Sequence, residues 1–495
     1  MSNERVGQAA DSTISAQTIP AATPSPLCVD LDGTLVKSDT LVDSLLLLAR
    51  THPLKALQTP LWLQGGKAAL KARIAAHVQL DAAHLPYNRK VLDYLMQQHG
   101  QGRKIYLTTG ADSRLAQRIA NHLGIFEDVL ASDGETNLTG HNKLASFRQQ
   151  FADQGFDYIG NARADLPLLQ YSGEAMVANP DASLEKLLRK NNIPIALRFE
   201  DRAPFSKVFL KTIRLHQWAK NVLVFVPMLL AHALRLPLIL NAALTLLCFS
   251  LCASATYIVN DLLDIEADRR HPKKRRRPFA SGDLSPQTGV AISAIFLAAA
   301  FAAAVVLLPY AFAGWLALYL VTTLCYSLYF KRVVLVDVIL LSGLYTLRLL
   351  AGGAATGVEL SPWLGAFSVF LFLSLAMVKR FSELQNIRAR GHALSNGRGY
   401  LLTDIEQLRS FGTASAYASV VIFALYINGK DVTGLYQHPV RMWLMTPLMI
   451  LWLSRIWLLA SRGELDEDPV IFAVTDRMSL LIGAAMVVVA VLATL

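Results

Sequence analysis

Two acidic runs in this 495-residue chain have the residue types and spacing for metal and phosphate chemistry. The first is Val29-Asp30-Leu31-Asp32-Gly33-Thr34. On an extended segment alternate side chains share a face, so Asp30 and Asp32 converge on one cation or one phosphate. Gly33 permits a sharp turn straight afterwards. Taken alone, the run also fits a strand end that caps the next helix. The second is Asn260-Asp261-Leu262-Leu263-Asp264-Ile265-Glu266-Ala267-Asp268, closing a long apolar stretch. At helical spacing Asn260, Asp264 and Asp268 form one stripe, with Asp261 beside it. Carboxylates this close repel one another and are costly near a membrane unless a cation joins them. A hard cation such as magnesium, bridging to substrate phosphates, suits these donors; a solvated helix end is the plain alternative. The adjoining His271-Pro272-Lys273-Lys274-Arg275-Arg276-Arg277-Pro278 is either a topology signal or a phosphate clamp that includes Lys273 and Arg277.

These runs need elements to hold them, and the composition separates two kinds. Apolar residues make up 53% of the chain and charged residues 17%, but the excess lies beyond Lys207. Around 27–191 short apolar strands alternate with helical patterns: Leu27–Asp32, Lys104–Thr108, Phe156–Gly160 and Ala175–Ala178 against Leu41–Arg50, Leu70–Val78 and Lys90–Gln98. That alternation predicts an α/β domain with a parallel sheet. Residues 1–26, rich in Ser, Thr, Ala and Pro, read as a disordered leader and not a signal peptide, and 192–206 as a linker. From 207 to 495 about nine apolar spans follow, near 220–237, 240–260, 287–308, 311–330, 333–351, 363–378, 412–428, 441–459 and 478–495, an all-α membrane bundle. The basic loops Arg269–Arg277, Lys331–Arg332, Lys379–Arg398 and Arg455–Arg462 then fall on one side. The positive-inside rule puts them and the N-terminal domain in the cytoplasm, and the C-terminus outside the inner (plasma) membrane. The net charge of +10 is explained by these loops, which argues against nucleic acid as a partner. Cys28, Cys248, Cys252 and Cys325 have no CxxC spacing and read as small apolar side chains.

The N-terminal domain resembles the haloacid dehalogenase superfamily of phosphohydrolases, a Rossmann-type sheet with a helical cap. The resemblance implies that Asp30 is the phosphoryl-accepting nucleophile and Asp32 the acid/base, both also near the metal. Thr109, closing Ile105-Tyr106-Leu107-Thr108-Thr109, matches the second motif and Lys143 the third. The fourth, usually GDxxxD, reads Gly160-Asn161-Ala162-Arg163-Ala164-Asp165: Asn161 replaces one expected magnesium ligand and Asp165 remains.

The C-terminal region resembles the UbiA-type intramembrane prenyltransferases, whose first motif is NDxxDxxxD followed by a basic, RP-containing loop. The resemblance implies magnesium held by Asn260, Asp261, Asp264 and Asp268, with Asp261 and Asp264 essential to catalysis. The second acidic motif departs from the family, because the loop after the sixth span reads Lys379-Arg380-Phe381-Ser382-Glu383. With His216-Gln217-Trp218-Ala219-Lys220-Asn221, Tyr326-Ser327-Leu328-Tyr329-Phe330-Lys331, Asp337 and Arg348-Leu349-Leu350-Ala351-Gly352-Gly353, this looks like the polyprenyl-phosphate phosphoribosyltransferase branch. A triphosphorylated donor and an anionic acceptor need cations, which Lys220, Lys331, Arg348, Lys379 and Arg380 supply; Asn221, Tyr326, Asp337 and Glu383 complete the expected substrate site. Lys331, Lys379 and Arg380 also fit snorkelling anchors, Tyr326 an interfacial ring, and Asp337 a cap on a basic neighbour.

The resulting expectation is a magnesium-dependent transfer of phosphoribose from phosphoribosyl diphosphate to a polyprenyl phosphate in the lipid bilayer, with the fused domain acting on the product. An aromatic prenyltransferase and a non-catalytic lipid-binding scaffold remain the alternatives, and a homo-oligomer is left open.

Overall fold

The computed structural model describes residues 24–151, 154–389, 398–465 and 468–495. The expected leader, 1–26, lies outside them but for its last three residues. Contacts divide the chain between Arg202 and Ala203 into two compact units.

In the first unit six strands form one parallel sheet in the order β3-β2-β1-β4-β5-β6: β1 (Leu27–Asp30), β2 (Ile105–Asp112), β3 (Asp128–Ser132), β4 (Asp157–Gly160), β5 (Ala175–Ala178) and β6 (Ile195–Phe199). Strands buried on both faces read as continuous apolar runs, which is why β1, β4 and β5 are legible in the sequence. Two strands are not. β3 is mostly half-buried at one edge, and β6 carries one buried residue in five at the other. The linker expected over 192–206 is therefore corrected: Ile195–Phe199 pairs with β5, and the unit runs on to Arg202. Helices α1 (Thr40–Thr51), α2 (Pro53–Ala56), α3 (Thr59–Leu63) and α4 (Gly66–His77) form a cap inserted between β1 and β2. Helices α5 (Arg89–Gly100), α6 (Ser113–Leu123), α7 (His141–Phe151), α8 (Leu166–Tyr171) and α9 (Ala182–Lys190) complete the unit. Chain order reverses at β1, which has β2 on one side and β4 on the other. The carboxyl ends of such strands bound the crevice where ligands bind in open α/β sheets.

The second unit is helical: α10 (Phe205–Thr212), a 3-10 helix Leu215–Phe225, α11 (Val226–Leu230), α12 (Leu236–Leu263), α13 (Ile265–Arg270), α14 (Pro286–Leu307), α15 (Tyr310–Leu328), α16 (Val336–Thr356), α17 (Pro362–Ala389), α18 (Ile405–Ile427), α19 (Lys430–Thr433), α20 (Met445–Ser461), α21 (Pro469–Thr475) and α22 (Arg477–Thr494). Among the described residues eight helices are long and apolar enough to cross a membrane, not nine. The first expected span, 220–237, is the exception. Left-handed backbone at Arg214 and His232 brackets a segment, Leu215–Leu230, that is offset from it; Leu215–Phe225 winds as a 3-10 helix, and Pro227 in the short α11 lacks an amide proton. Two side-chain bonds tie it to α12: Trp218 Nε1 to Ser254 Oγ at 3.0 Å and Asn221 Nδ2 to Ser250 Oγ at 3.0 Å. Gly352 on α16 lets it pack closely, since a Cβ there would lie 2.2 Å from the Val224 carbonyl oxygen. A second correction concerns 379–383, expected in a loop. No Gly or Pro follows Gly365 before Ala389, and α17 runs unbroken through Lys379, Arg380 and Glu383.

Candidate functional sites

Asp30 ends β1 opposite Thr108, and four groups are gathered around it. Lys143, buried in the first turn of α7, donates to Asp30 Oδ1 at 2.8 Å, to the Thr108 carbonyl at 3.2 Å and to Tyr158 Oη at 3.0 Å. Tyr158 in turn donates to Asp165 Oδ1 at 2.8 Å. Asp30 Oδ2 accepts from Thr34 at a longer 3.4 Å. Gly33 makes the turn at φ +78°, and a Cβ on it would lie 2.0 Å from Asn161 Nδ2. Glycine is required there twice over, for conformation and for room. Asp32 accepts from the Thr40 amide at 2.7 Å. Thr109 is fully buried in the irregular part of β2, and its hydroxyl accepts from the Ala111 amide at 3.0 Å.

Burial pushes the Asp30 carboxyl up to about 6, although Lys143 pulls against it. Burial, then the neighbouring Asp39 charge, pushes Asp32 up to about 7. Both acids are thus raised toward neutral pH, where a carboxyl can exchange a proton. Asp32 also borders a cleft of about 430 Å³ beneath the cap, where Lys71 of α4 reaches the Gly110 carbonyl at 2.5 Å and Asn137 at 2.9 Å.

Asp165, expected as a metal ligand, is committed elsewhere: Oδ2 accepts from the Asn161 and Ala162 amides at 3.0 Å each and pins the turn. Asn161 Oδ1, by contrast, is buried without a hydrogen-bond partner among the described residues. A carbonyl oxygen left so in an oxygen-rich site fits a hard cation, with Asp30 and Asp32 as its other donors. Tyr158 is not among the residues expected from the sequence; a phenol in the strand leading to the Gly160-Asn161 turn is its only signal.

In the membrane unit the expected residues fall into three groups. The first surrounds the end of α12. One nitrogen of Arg277 donates to Asp261 Oδ1 at 2.9 Å and to Asp268 Oδ2 at 2.7 Å, and Arg214 reaches Asp261 Oδ1 at 2.6 Å. Lys331 lies 3.3 Å from Asn260 Oδ1 and 3.2 Å from Asp264 Oδ2. The expected single stripe is therefore two pairs, Asp261 with Asp268 and Asn260 with Asp264, because the helix breaks at Asp264 before α13 begins. Among the described residues no three His, Cys, Asp or Glu side chains form a metal cluster. The all-oxygen donor set still fits magnesium, which takes one or two carboxylates and fills its remaining positions with phosphates and water. Burial raises the Asp268 carboxyl against the pull of Arg277.

The second group is centred on Asp468, which is also absent from the residues expected. Lys220 and Lys379 donate to its Oδ2 at 2.7 and 2.8 Å, across 248 and 89 residues of sequence. Burial would raise this carboxyl, but Lys379 and Lys220 outweigh it and hold it well below the usual range. Beside it Arg348 donates to Asn221 Oδ1 at 2.8 Å and lies 5.0 Å over the Tyr319 ring and 5.4 Å over the Tyr345 ring. The signal for Asp468 is a lone acid before Pro469 at a helix start, which reads equally as a cap; it also accepts from the Val470 amide at 3.2 Å.

The third group is Arg380, 1% exposed, bonded to Asp337 at 2.5 Å, Glu383 at 2.6 Å and Tyr326 at 3.1 Å. Tyr400 donates to the other Asp337 oxygen at 2.5 Å. Asp337, expected five residues inside its span, sits in the first turn of α16 and is fully buried. This closed network ties α15, α16 and α17 together. Lys273 is exposed and belongs to none of the three groups.

Comparison with known proteins bears on both units. The model of the UbiA prenyltransferase family matches residues 221–482, and that of the haloacid dehalogenase-like hydrolases matches 27–170. An uncharacterized protein of Sinorhizobium fredii, y4nM, is 38% identical over 462 residues, 93% of this chain and 89% of its own length. That match is longer than either unit, so it spans both. The nodulation protein NoeC of Azorhizobium caulinodans is 35% identical over 56% of this chain and 90% of its own. The decaprenyl-phosphate phosphoribosyltransferase of Mycobacterium tuberculosis is 34% identical over 45% of this chain and 74% of its own.

Proposed function

Because the chain belongs to the UbiA prenyltransferase family, an integral membrane transferase joined to a haloacid dehalogenase-like hydrolase domain, we propose that its membrane unit moves phosphoribose from phosphoribosyl diphosphate to a polyprenyl phosphate. The observation that carries this reading is the number of cations at the acidic groups: Arg214, Arg277 and Lys331 at the end of α12, and Lys220, Lys379 and Arg348 around Asp468. A donor with a diphosphate and a 5-phosphate, meeting a lipid phosphate, requires such a set; a neutral aromatic acceptor does not. The relatives named as decaprenyl-phosphate phosphoribosyltransferases point the same way.

Asp261 and Asp268, whose oxygens converge on one nitrogen of Arg277, would hold magnesium, with Asn260 and Asp264 beside them. When bound, magnesium supplies positive charge to the departing diphosphate. Arg277 and Lys331 reach the same oxygens and are placed to take donor phosphates, while Lys220, Lys379 and Arg348 receive the acceptor phosphate. An oxygen of the lipid phosphate attacks the anomeric carbon as the bond to diphosphate breaks, and orientation with charge balance lowers the barrier. The product is a phosphoribosyl lipid that keeps its 5-phosphate.

The soluble unit would remove that phosphate. Asp30 attacks phosphorus, Asp32 protonates the departing alcohol oxygen, Lys143 balances the charge, and water hydrolyses the acyl phosphate. Fusion keeps such a product at high effective concentration, about mM for short tethers. We place the protein in the plasma membrane with the soluble unit and basic loops cytoplasmic. The C-terminus is outside if 215–230 makes a ninth passage; at about 2.0 Å per 3-10 residue and 1.5 Å per α residue it spans roughly 30 Å.

The test is to incubate the purified protein with ribose-labelled phosphoribosyl diphosphate and polyprenyl phosphate and extract the lipid. Label in the organic phase supports the reading. Prenyl transfer to an aromatic acid, with no label extracted, contradicts it.

A further inference from the structure

The cap of the soluble unit carries a feature that catalysis does not require. Between Asp43 and Asp81 the chain contains no Asp or Glu, but it has Arg50, Lys55, Lys67, Lys71 and Arg73. In the same stretch the short helices α2 and α3 present large apolar side chains outward: Leu54 and Leu57 are each 77% exposed, Leu61 62% and Leu63 49%. A single exposed leucine needs no explanation, whereas four within ten residues form a patch. Packing inside the unit does not account for them: α2 and α3 turn Ala56 and Trp62 toward the cap's apolar cluster and leave these four leucines outside it.

We propose that α2, α3 and the start of α4 dock on an anionic lipid surface, with the leucines entering the interface and Lys55 and Lys67 meeting lipid headgroups. Apolar and basic residues together, with no acid among them, are the composition that binds such a surface and that a cationic or neutral protein partner would not select. The chain also carries eight apolar spans, so the cap is tethered permanently to a bilayer-bound unit. The patch is continuous with the cleft over Asp32: Leu63, Lys67, Leu70, Lys71 and Ile74 line it. A docked cap would therefore present the cleft to a phosphate held at the bilayer surface. This last consequence rests on the phosphatase reading above; the docking itself does not.

The experiment uses the full chain with Cys325, the exposed native cysteine, changed to serine. A bimane probe is attached at Leu57→Cys and, as a control on α6, at Gln117→Cys. Each protein is placed in nanodiscs with or without phosphatidylglycerol, some containing headgroup-spin-labelled lipid as quencher. Docking predicts a blue shift and loss of emission at position 57 in phosphatidylglycerol discs, weaker effects in neutral discs, and no quenching at 117. Leu54→Asp with Lys55→Glu should abolish the quenching at 57 without moving the thermal unfolding temperature, because Leu54 supports no core. Quenching at 57 no greater than at 117 would overturn the proposal. So would equal quenching in neutral discs, or a blue shift that persists in detergent without lipid quenching, which would mean protein covers the patch. None of these readouts depends on phosphatase turnover.

Discussion

The soluble and membrane units both bury carboxylates beside cations, yet they do so in opposite ways. At Asp30 and Asp32 one lysine, Lys143, serves the site, backbone amides and hydroxyls do the rest, and both acids are pushed up to about 6 and about 7. In the membrane unit the buried acids have their own cations from separate elements: Arg214 and Arg277 for Asp261, Lys220 and Lys379 for Asp468, Arg380 for Asp337. A strand-end site can leave an acid partly unbalanced, because water and a substrate phosphate share the crevice. Between apolar helices an unpaired charge costs too much, so pairing becomes the rule. Raised acids suit proton transfer; paired ones suit the gathering of phosphates and metal.

Removing one acid from the end of α12 should have the largest effect. Asp261→Asn should lower transfer by roughly 10²-fold or more, while the protein stays folded in the membrane. Near-wild-type incorporation of labelled ribose into lipid would show that this acid holds neither metal nor substrate. A smaller effect should separate buried from exposed pairing. Asp468→Asn strands Lys220 among apolar helices and should cost about 3 kcal/mol in unfolding stability. Asp476→Asn, which removes the more open pair with Arg455, should cost less than about 1 kcal/mol. Equal losses in a thermal unfolding series would mean burial is not what distinguishes them.

Titration shows the same contrast through its sign. Asp30 and Asp32 are raised in the folded chain, so between the usual carboxylate range and about pH 7 the folded state keeps protons that the unfolded chain releases. Their contribution to stability is complete below that range and lost as pH rises through about 6 and about 7. Asp468 is lowered, so its contribution is present above the usual range and lost as pH falls below it. With a chelator present, the stability of the soluble unit against unfolding should fall across the upper window in wild type and not in Asp30→Asn/Asp32→Asn. A wild-type profile that stays flat there would contradict the raised acids. The smallest effect is expected at Lys273, exposed and outside every group: Lys273→Ala should change transfer by less than about threefold.

Legibility in the sequence follows the same division. Asp30 and Asp32 are two residues apart, one ending β1 and the other just beyond it, and the apolar runs of β1, β4 and β5 suffice to place them at a strand end. The edge strand Ile195–Phe199 reads as linker because it is short and three of its five residues are exposed. In the second unit the eight long helices are visible from length and composition. The segment Leu215–Leu230 is not, because a 3-10 helix and a short α-helix share the apolar content of a span without its geometry. Asn260 through Asp268 is plain as a motif, but its division into two pairs comes from Arg277 and Lys331, which only the folded chain brings near. Asp468 has no signal of that kind: its partners are Lys220 and Lys379, far away in sequence, and the pair exists only through helix packing.

If the two units act in sequence, the membrane unit makes a phosphorylated lipid and the soluble unit dephosphorylates it. Mass spectrometry decides this, applied to the lipids formed from phosphoribosyl diphosphate and polyprenyl phosphate by the wild-type protein and by Asp30→Asn. Wild type should release inorganic phosphate and yield the lipid without its 5-phosphate, and Asp30→Asn should transfer normally yet accumulate the phosphorylated lipid. Identical phosphorylation states from the two proteins would contradict the coupling.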